Sequence, residues 1–300
     1  MRDWRRHNGL SKNDGGEDDL NTAEWTVYES KAASRGRSAV RRAFLDVRRT
    51  RHVIVRLFWR DFRSNFKQKI LGYVWALLTP LTGALTFIIL YFAGMLRPGD
   101  TEIPYPLYAL IGTSVWGALT STVVVTAGSL QGQADLLLRT QVPKLAIFVA
   151  SIGTVIYGII TTMATILIVF LVFSSVPSFW LLLYPLLVLP MVLLGLAIGL
   201  ILASTSVIAK DLTMIVSQML GILMFLTPAV LVPDATSGIL STIMTWNPLS
   251  YLIEVPRNMI TVGSIDGWPV FVGVTVCLIP LVAFSLRMFY RLEGLVAERL

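Results

Sequence analysis

Of the 300 residues, 55% are hydrophobic and only 14% charged, against roughly 25% charged in an ordinary soluble domain, so the two soluble domains that this length suggests are excluded. The net charge of +7 invites nucleic acid as a partner, but the cations gather beside bilayer-length apolar runs, and a membrane surface fits them where nucleic acid does not. The lone cysteine, Cys277, excludes an intramolecular disulfide and a cysteine-built metal cluster; in its apolar run it reads as a small buried hydrophobe.

Residues 1–37 are rich in Gly, Ser, Asp and Arg, with NDGGEDD at Asn13 to Asp19. Such a segment buries too little apolar surface to order itself, which predicts a flexible cytoplasmic tail; a partner-docking arm is the alternative. Residues 38–72 turn helical. At about 100° per residue, Ile54, Val55, Phe58, Trp59, Phe62, Phe66 and Ile70 share one broad arc, and Arg56, Arg60, Arg63 and Lys67 cluster opposite. The pattern predicts an amphipathic helix lying in the cytoplasmic membrane interface. It is either an anchor for the first span or part of a gate or docking surface.

Six apolar runs follow within 73–288, each near the roughly 20 residues that a spanning helix needs. They are Tyr73 to Met95, Tyr108 to Ser129, Leu145 to Phe173, Phe179 to Ser206, Met214 to Val232 and Trp268 to Leu286. The expected fold class is an all-α integral membrane protein with six transmembrane helices. The third and fourth runs exceed the bilayer, so tilt or a kink is expected, with Pro185 and Pro190 as the kink candidates. No cleavable signal is expected, and the first span acts as an uncleaved anchor. Residues 289–300 read as a cytoplasmic tail.

An even number of spans puts both termini on one side. Of the 25 Lys and Arg, 23 fall on that side and only Arg97 and Arg257 on the other, which makes the termini cytoplasmic by the positive-inside rule. The inner connection Gln131 to Phe148 holds Asp135 and Arg139 at i,i+4 in a short helix-like piece that Pro143 breaks. It is either a force-transmitting element or a plain turn. The outer connection, Pro233 to Gly267, carries ILSTIMTW and LSYLIEVPRNMI, parted by Asn247-Pro248. Both pieces are too short to cross as ordinary helices and read as re-entrant or interfacial external helices before the last span. Glu254 and Arg257, at i,i+3, are candidates to pair with each other.

Several chemistries are missing from the sequence. It has no G-x-x-x-x-G-K-[ST] loop for ATP, and its two histidines, His7 and His52, are too far apart to suggest a metal site. The six runs hold none of the Asp, Glu or His that ion-coupled relays use. No catalytic cluster can be assembled, so the chain is not expected to be an enzyme. Its energy source is then borrowed, or it is a passive channel.

RDFRSNFKQKILGYVWALLTPL (Arg60 to Leu81) resembles the entry motif of type-2 ABC exporter membrane subunits, in the subgroup that handles polysaccharides, O-antigens and teichoic acids (polyol phosphates). LLLRTQVPKLAIF (Leu136 to Phe148) is similar to that family's cytoplasmic loop. VIAKDL (Val207 to Leu212) stands where the family tends to show Arg-Asp, with Lys210 for Arg. FLTPAVLVP (Phe225 to Pro233) resembles its Thr/Ser-Pro-Val segment, with Ala229 for Val. WNPLSYLIEVPRNMI (Trp246 to Ile260) resembles its Asn-Pro plus downstream Arg pattern.

The resemblance implies a homodimer in the bacterial cytoplasmic (inner) membrane, driven by two copies of a separate ABC ATPase. ATP and Mg would bind to that partner, and no cofactor to this chain. Gln131, Asp135, Arg139, Pro143 and Lys144 would couple to the ATPase, beside the interface helix with Arg56, Arg60, Asp61, Arg63 and Lys67. Asn247, Pro248, Glu254 and Arg257 would belong to an outer gate. The implied cargo is a lipid-linked glycan or teichoic-acid-like polymer. Aromatic faces stack on sugar rings, which makes Trp75, Phe87, Tyr91, Phe92 and Phe225 candidate channel lining; interfacial belts and lipid packing are the alternative. An exporter of a small lipid or drug, and a transporter or transferase without an ATPase, are the competing readings.

Overall fold

A computed structural model describes residues 39–67, 73–133, 144–205, 211–233 and 238–299. The tail read at 1–37, and Asp135, Arg139 and Pro143 of the inner connection, lie outside the described residues. The described residues form helices and no strands. Helix α1 is Ala39–Lys67, α2 Tyr73–Phe92, α3 Tyr105–Gly128 and α4 Lys144–Val172. The fourth apolar run is a 3-10 turn, Phe179–Leu183, then α5, Tyr184–Leu187, and α6, Leu189–Thr205. Helix α7, Asp211–Leu223, continues as a 3-10 turn, Met224–Leu226. Helices α8, Ile239–Trp246, α9, Pro248–Thr261, and α10, Trp268–Arg299, follow.

Five of these segments are long and apolar enough to cross a membrane: α2, α3, α4, the stretch from Phe179 to Thr205, and α10 as far as Arg291. The run read as a fifth span, Met214 to Val232, is a shorter apolar helix that stops at Leu226. Kinks fall where proline removes a donor. The fourth run breaks at Val188, between Pro185 and Pro190, while the third is one 29-residue helix. In α2, Pro80 has no N–H for the preceding turn. Thr165 of α4 hydrogen-bonds the adjacent Leu77 carbonyl at 3.1 Å.

Helix α3 is the centre of the packing. Of its apolar stretch 72% is buried, against 6% for α2. Its small and branched residues surround the axis without a polar stripe, the pattern of a helix covered on all sides. Helix α6 packs against it through Gly195 and Gly199. A Cβ at Gly195 would lie 2.7 Å from Thr122 Cβ, and one at Gly199 would run into Thr126 Oγ1. The two threonine hydroxyls turn back to Ala118 O at 2.6 Å and Thr122 O at 2.5 Å. Both hydroxyls are thus satisfied within α3 where the glycines approach, a small-residue seam of the kind that brings membrane helices close.

Helix α1 lies on α4 and α10. Leu57 is buried, Phe62 meets the Tyr157 ring edge-on at 5.1 Å, and Tyr290 of α10 donates to Asp46 Oδ2 at 2.9 Å. The arc read as one apolar face is divided: Phe58 and Phe62 are partly covered, whereas Val55 and Trp59 are exposed. Cys277, read as buried, is exposed on α10. An apolar run fixes a residue's place in a bilayer and not its cover by protein. Helix α10 runs without interruption through the 288–289 boundary drawn from the sequence.

Gly199→Leu is expected to destabilise the purified protein by roughly 1–3 kcal/mol through overpacking. Gly221→Ala on α7, where an added Cβ meets nothing, is expected to leave the melting temperature unchanged or raised. Thermal unfolding in detergent, followed by size exclusion, checks both.

Candidate functional site

After Leu226 the backbone leaves the helix. Thr227 is extended, Pro228 has no N–H, and Thr227, Ala229 and Val230 are buried. Carbonyls in such a stretch need partners from elsewhere in the fold. Helix α9 supplies them. Arg257, 3% exposed, donates through Nη2 to Pro228 O, with Ala229 O at 3.4 Å. Asn247 Nδ2 donates to Leu226 O at 3.1 Å, while its Oδ1 accepts from Leu249 N at 3.0 Å and caps α9, in which Pro248 takes the first position.

Helix α3 closes the other side. The Arg257 guanidinium lies over the Tyr108 ring, 3.7 Å from its centroid, a cation–π contact in a desolvated setting. Tyr108 Oη sits 3.4 Å from Pro228 O and 3.3 Å from Leu231 O. One turn on, Gly112 is required by this approach, because a Cβ there would strike Ala229 O and crowd Arg257 Nη2. Burial pushes the Arg257 guanidinium below its ordinary pKa; Tyr108 and the Glu254 carboxylate oppose that shift. The segments Phe225 to Pro233 and Trp246 to Ile260 are thus one structural unit, with Asn247, Pro248, Glu254 and Arg257 all in it. A cleft of about 510 Å³ opens beside it.

The five aromatic candidates divide. Phe87 meets Phe225 edge-on at 5.9 Å, which joins α2 to the end of α7. Phe92 and Tyr91 are 5.4 Å apart, Tyr91 and Tyr105 4.5 Å, and Tyr105 and Tyr108 6.3 Å, so a row of rings runs from the end of α2 to Arg257. Trp75 stands apart, about 18 Å from Phe87 along the helix axis. Tyr105 and Tyr108 were not singled out from sequence; their i,i+3 spacing at the head of an apolar run was the available signal.

On α1, Asp61 accepts from Arg60 at 2.8 Å and from Gln133 Nε2 at 2.9 Å. Gln133 closes the 3-10 turn Gln131–Gln133 that opens the inner connection, so the interface helix and that connection are bonded directly. Arg56 is exposed, and Arg63 lies over the Trp59 ring at 5.9 Å. Lys144 is the first residue of α4 and half-buried. The side chains of Lys67 and Gln131 lie outside the described residues.

Residues 52–260, from α1 to the last turn of α9, match the family model of the ABC-2 type transporter. The chain belongs to that family. It is similar to the O-antigen export system permease protein RfbA of Myxococcus xanthus, 25% identical over 207 residues, 68% of this chain and 78% of that protein. It is also similar to two proteins of the same name from Klebsiella pneumoniae, 22% and 23% identical over 209 residues, 69% of this chain and 79% of each. As an ABC-2 family member the chain is a multi-pass transport subunit. Both halves of the Arg257 unit fall within the matched region, and α10 falls outside it.

Arg257→Ala is expected to cost about 2–3 kcal/mol, because it strips a donor from buried carbonyls. Arg257→Lys is expected to recover only part of that, since an ammonium cannot lie flat on Tyr108 and reach the turn together. Arg97→Ala, at an exposed cation, serves as the neutral control in the same melting experiment.

Proposed function

We propose that the chain is the membrane subunit of an ATP-driven exporter that moves a lipid-linked polysaccharide, or a teichoic-acid-like polymer, out across the bacterial cytoplasmic membrane. The observation that carries this reading is the family match over 52–260 together with relatives that are O-antigen export permeases. Taken as a short crossing, α7 brings the count to six spans, and α8 and α9 become re-entrant outer helices. Both termini are then cytoplasmic, in keeping with 23 of 25 cations on that side.

Two copies pair in this reading, with the channel between them. Helices α2 and α7 present exposed apolar and aromatic surface, including Trp75, Tyr91, Phe92 and Phe225, and such faces hold sugar rings by stacking without trapping them. Two copies of a separate ATPase, carrying ATP and Mg, close on the inner face. The connection 131–148 takes up that motion. Gln133 at its head is bonded to Asp61, so displacement of the connection pulls on the interface helix. The exposed arginines of that helix also suit a pyrophosphate-linked lipid head entering from the inner leaflet.

A separate P-loop ATPase is expected to co-purify with the chain and to be required for surface polymer. Transport by the purified chain alone, driven by an ion gradient, would sink the proposal. Arg139→Glu with Lys144→Glu is expected to lower export about tenfold or more through charge reversal at the ATPase contact, with membrane insertion unchanged and ATP hydrolysis retained. Undiminished surface polymer in that variant removes these residues from coupling.

A further inference from the structure

The cleft beside Arg257 measures about 510 Å³, within the roughly 300–1,000 Å³ typical of small-molecule sites. Five pieces of chain build it, among them the turn after α7 and the end of α8. The loop after α2 contributes Asp100 and Glu102, the head of α3 contributes Tyr108, and α9 contributes Tyr251, Glu254 and Arg257. Three carboxylates against one guanidinium leave this lining net negative, which rejects phosphate, sulfate and uronate groups. A metal is not indicated either, since no group of three or more His, Cys, Asp or Glu suited to one occurs among the described residues.

One further observation points to a ligand. Arg257 lines this cleft and is 3% exposed, and its Nε–H has no acceptor among the described residues. A buried charged donor left in this state calls for a missing partner. Its Nη2 is already committed to Pro228 O, so the fold holds the guanidinium in place. A ligand must therefore accept from the guanidinium and donate to carboxylates. A hydroxyl does both with one atom, and the Tyr251 ring offers a face for sugar C–H groups.

We propose that this outer cleft binds a neutral, polyhydroxylated sugar segment of the exported polymer as it emerges. The proposal rests on the export reading and on the outward placement of α9.

Thr245 is exposed and lines the cleft, which provides a probe position. In the native host, with the ATPase partner present, Thr245→Cys in a Cys277→Ser background is labelled from outside by a membrane-impermeant maleimide. Labelling is expected to slow several-fold while polymer is synthesised, relative to cells in which synthesis is blocked. Asp100→Asn with Glu102→Gln is expected to abolish that protection in cells that still synthesise polymer, each lost charge-assisted hydrogen bond weakening binding about tenfold. Equal rates with and without polymer overturn the cleft, as does protection that survives the carboxamide variant, which would be steric shielding alone. Failure of the export reading looks different: deletion of the chain would then leave surface polymer intact.

A second measurement needs no variant. Oligosaccharide released from the native polymer by mild acid is titrated into the purified transporter, with intrinsic fluorescence as the readout. Salt-insensitive binding of neutral fragments is expected. No binding at millimolar sugar, or binding confined to anionic fragments, overturns the proposal.

Discussion

The turn that follows Leu226 depends on one buried guanidinium. Membrane-embedded and core backbone is tolerated outside helices only where its polar groups find partners. Here the stretch after Leu226 turns its carbonyls inward, and Arg257 answers them from a different helix. A planar cation with five donors can lie on an aromatic face and still reach a neighbouring carbonyl, and the geometry over Tyr108 uses both properties. The rest of the unit follows: Gly112 makes room for the turn, Asn247 holds its first carbonyl, and Val232 N ties its far end to Pro98 O at 3.0 Å.

Five long apolar helices, the helix that precedes them and the proline break in the fourth run were legible because length, apolar content and helical period report them directly. What composition could not report is where an apolar run stops being helical. Pro228 to Val232 is as hydrophobic as the helix before it, so the run to Val232 read as one span although the helix ends at Leu226. Side-chain destinations were hidden for a related reason. The spacing of Glu254 and Arg257 suggested a local pair, but the Arg257 guanidinium also faces carbonyls 28 and 29 residues away. The bond between Asp61 and Gln133 spans 72 residues, and no local pattern could disclose it. Asn247 and Arg257 stood in the sequence as candidates for an outer gate, while the turn they hold together was visible only in three dimensions.

Burial is strongly graded across the helices. Helix α3 is enclosed, α2 and α7 are largely bare, and α1 is fastened at both ends of its described contacts by Asp46 and Asp61. In water the bare faces would be an aggregation liability; against lipid tails they carry no such penalty, because hydrocarbon is as apolar as leucine. Apolar exposure there is therefore uninformative, and the aromatic content is what distinguishes these faces. The Phe87–Phe225 contact also makes α2 and the end of α7 neighbours. A shift of either helix is felt by the turn that Arg257 holds.

Arg257 stands against the charge rule in the proposed topology, where it and Arg97 would be the two cations outside. Arg97 is exposed and replaceable by any polar residue on physical grounds. Arg257 is desolvated, a setting in which a well-packed apolar side chain is often no less stable than a charge. Topology does not call for it, and carbonyl pairing alone would be met by a neutral donor such as the amide of Asn247. A full positive charge becomes useful where acidic groups and a ligand share the same wall, as Glu254, Asp100 and Glu102 do here. The guanidinium then secures the turn while the same side chain lines the cleft. Occupation of the cleft would act on the same cation that fixes the end of α7, so cargo at the outer surface and the position of the channel-facing helix would be mechanically joined.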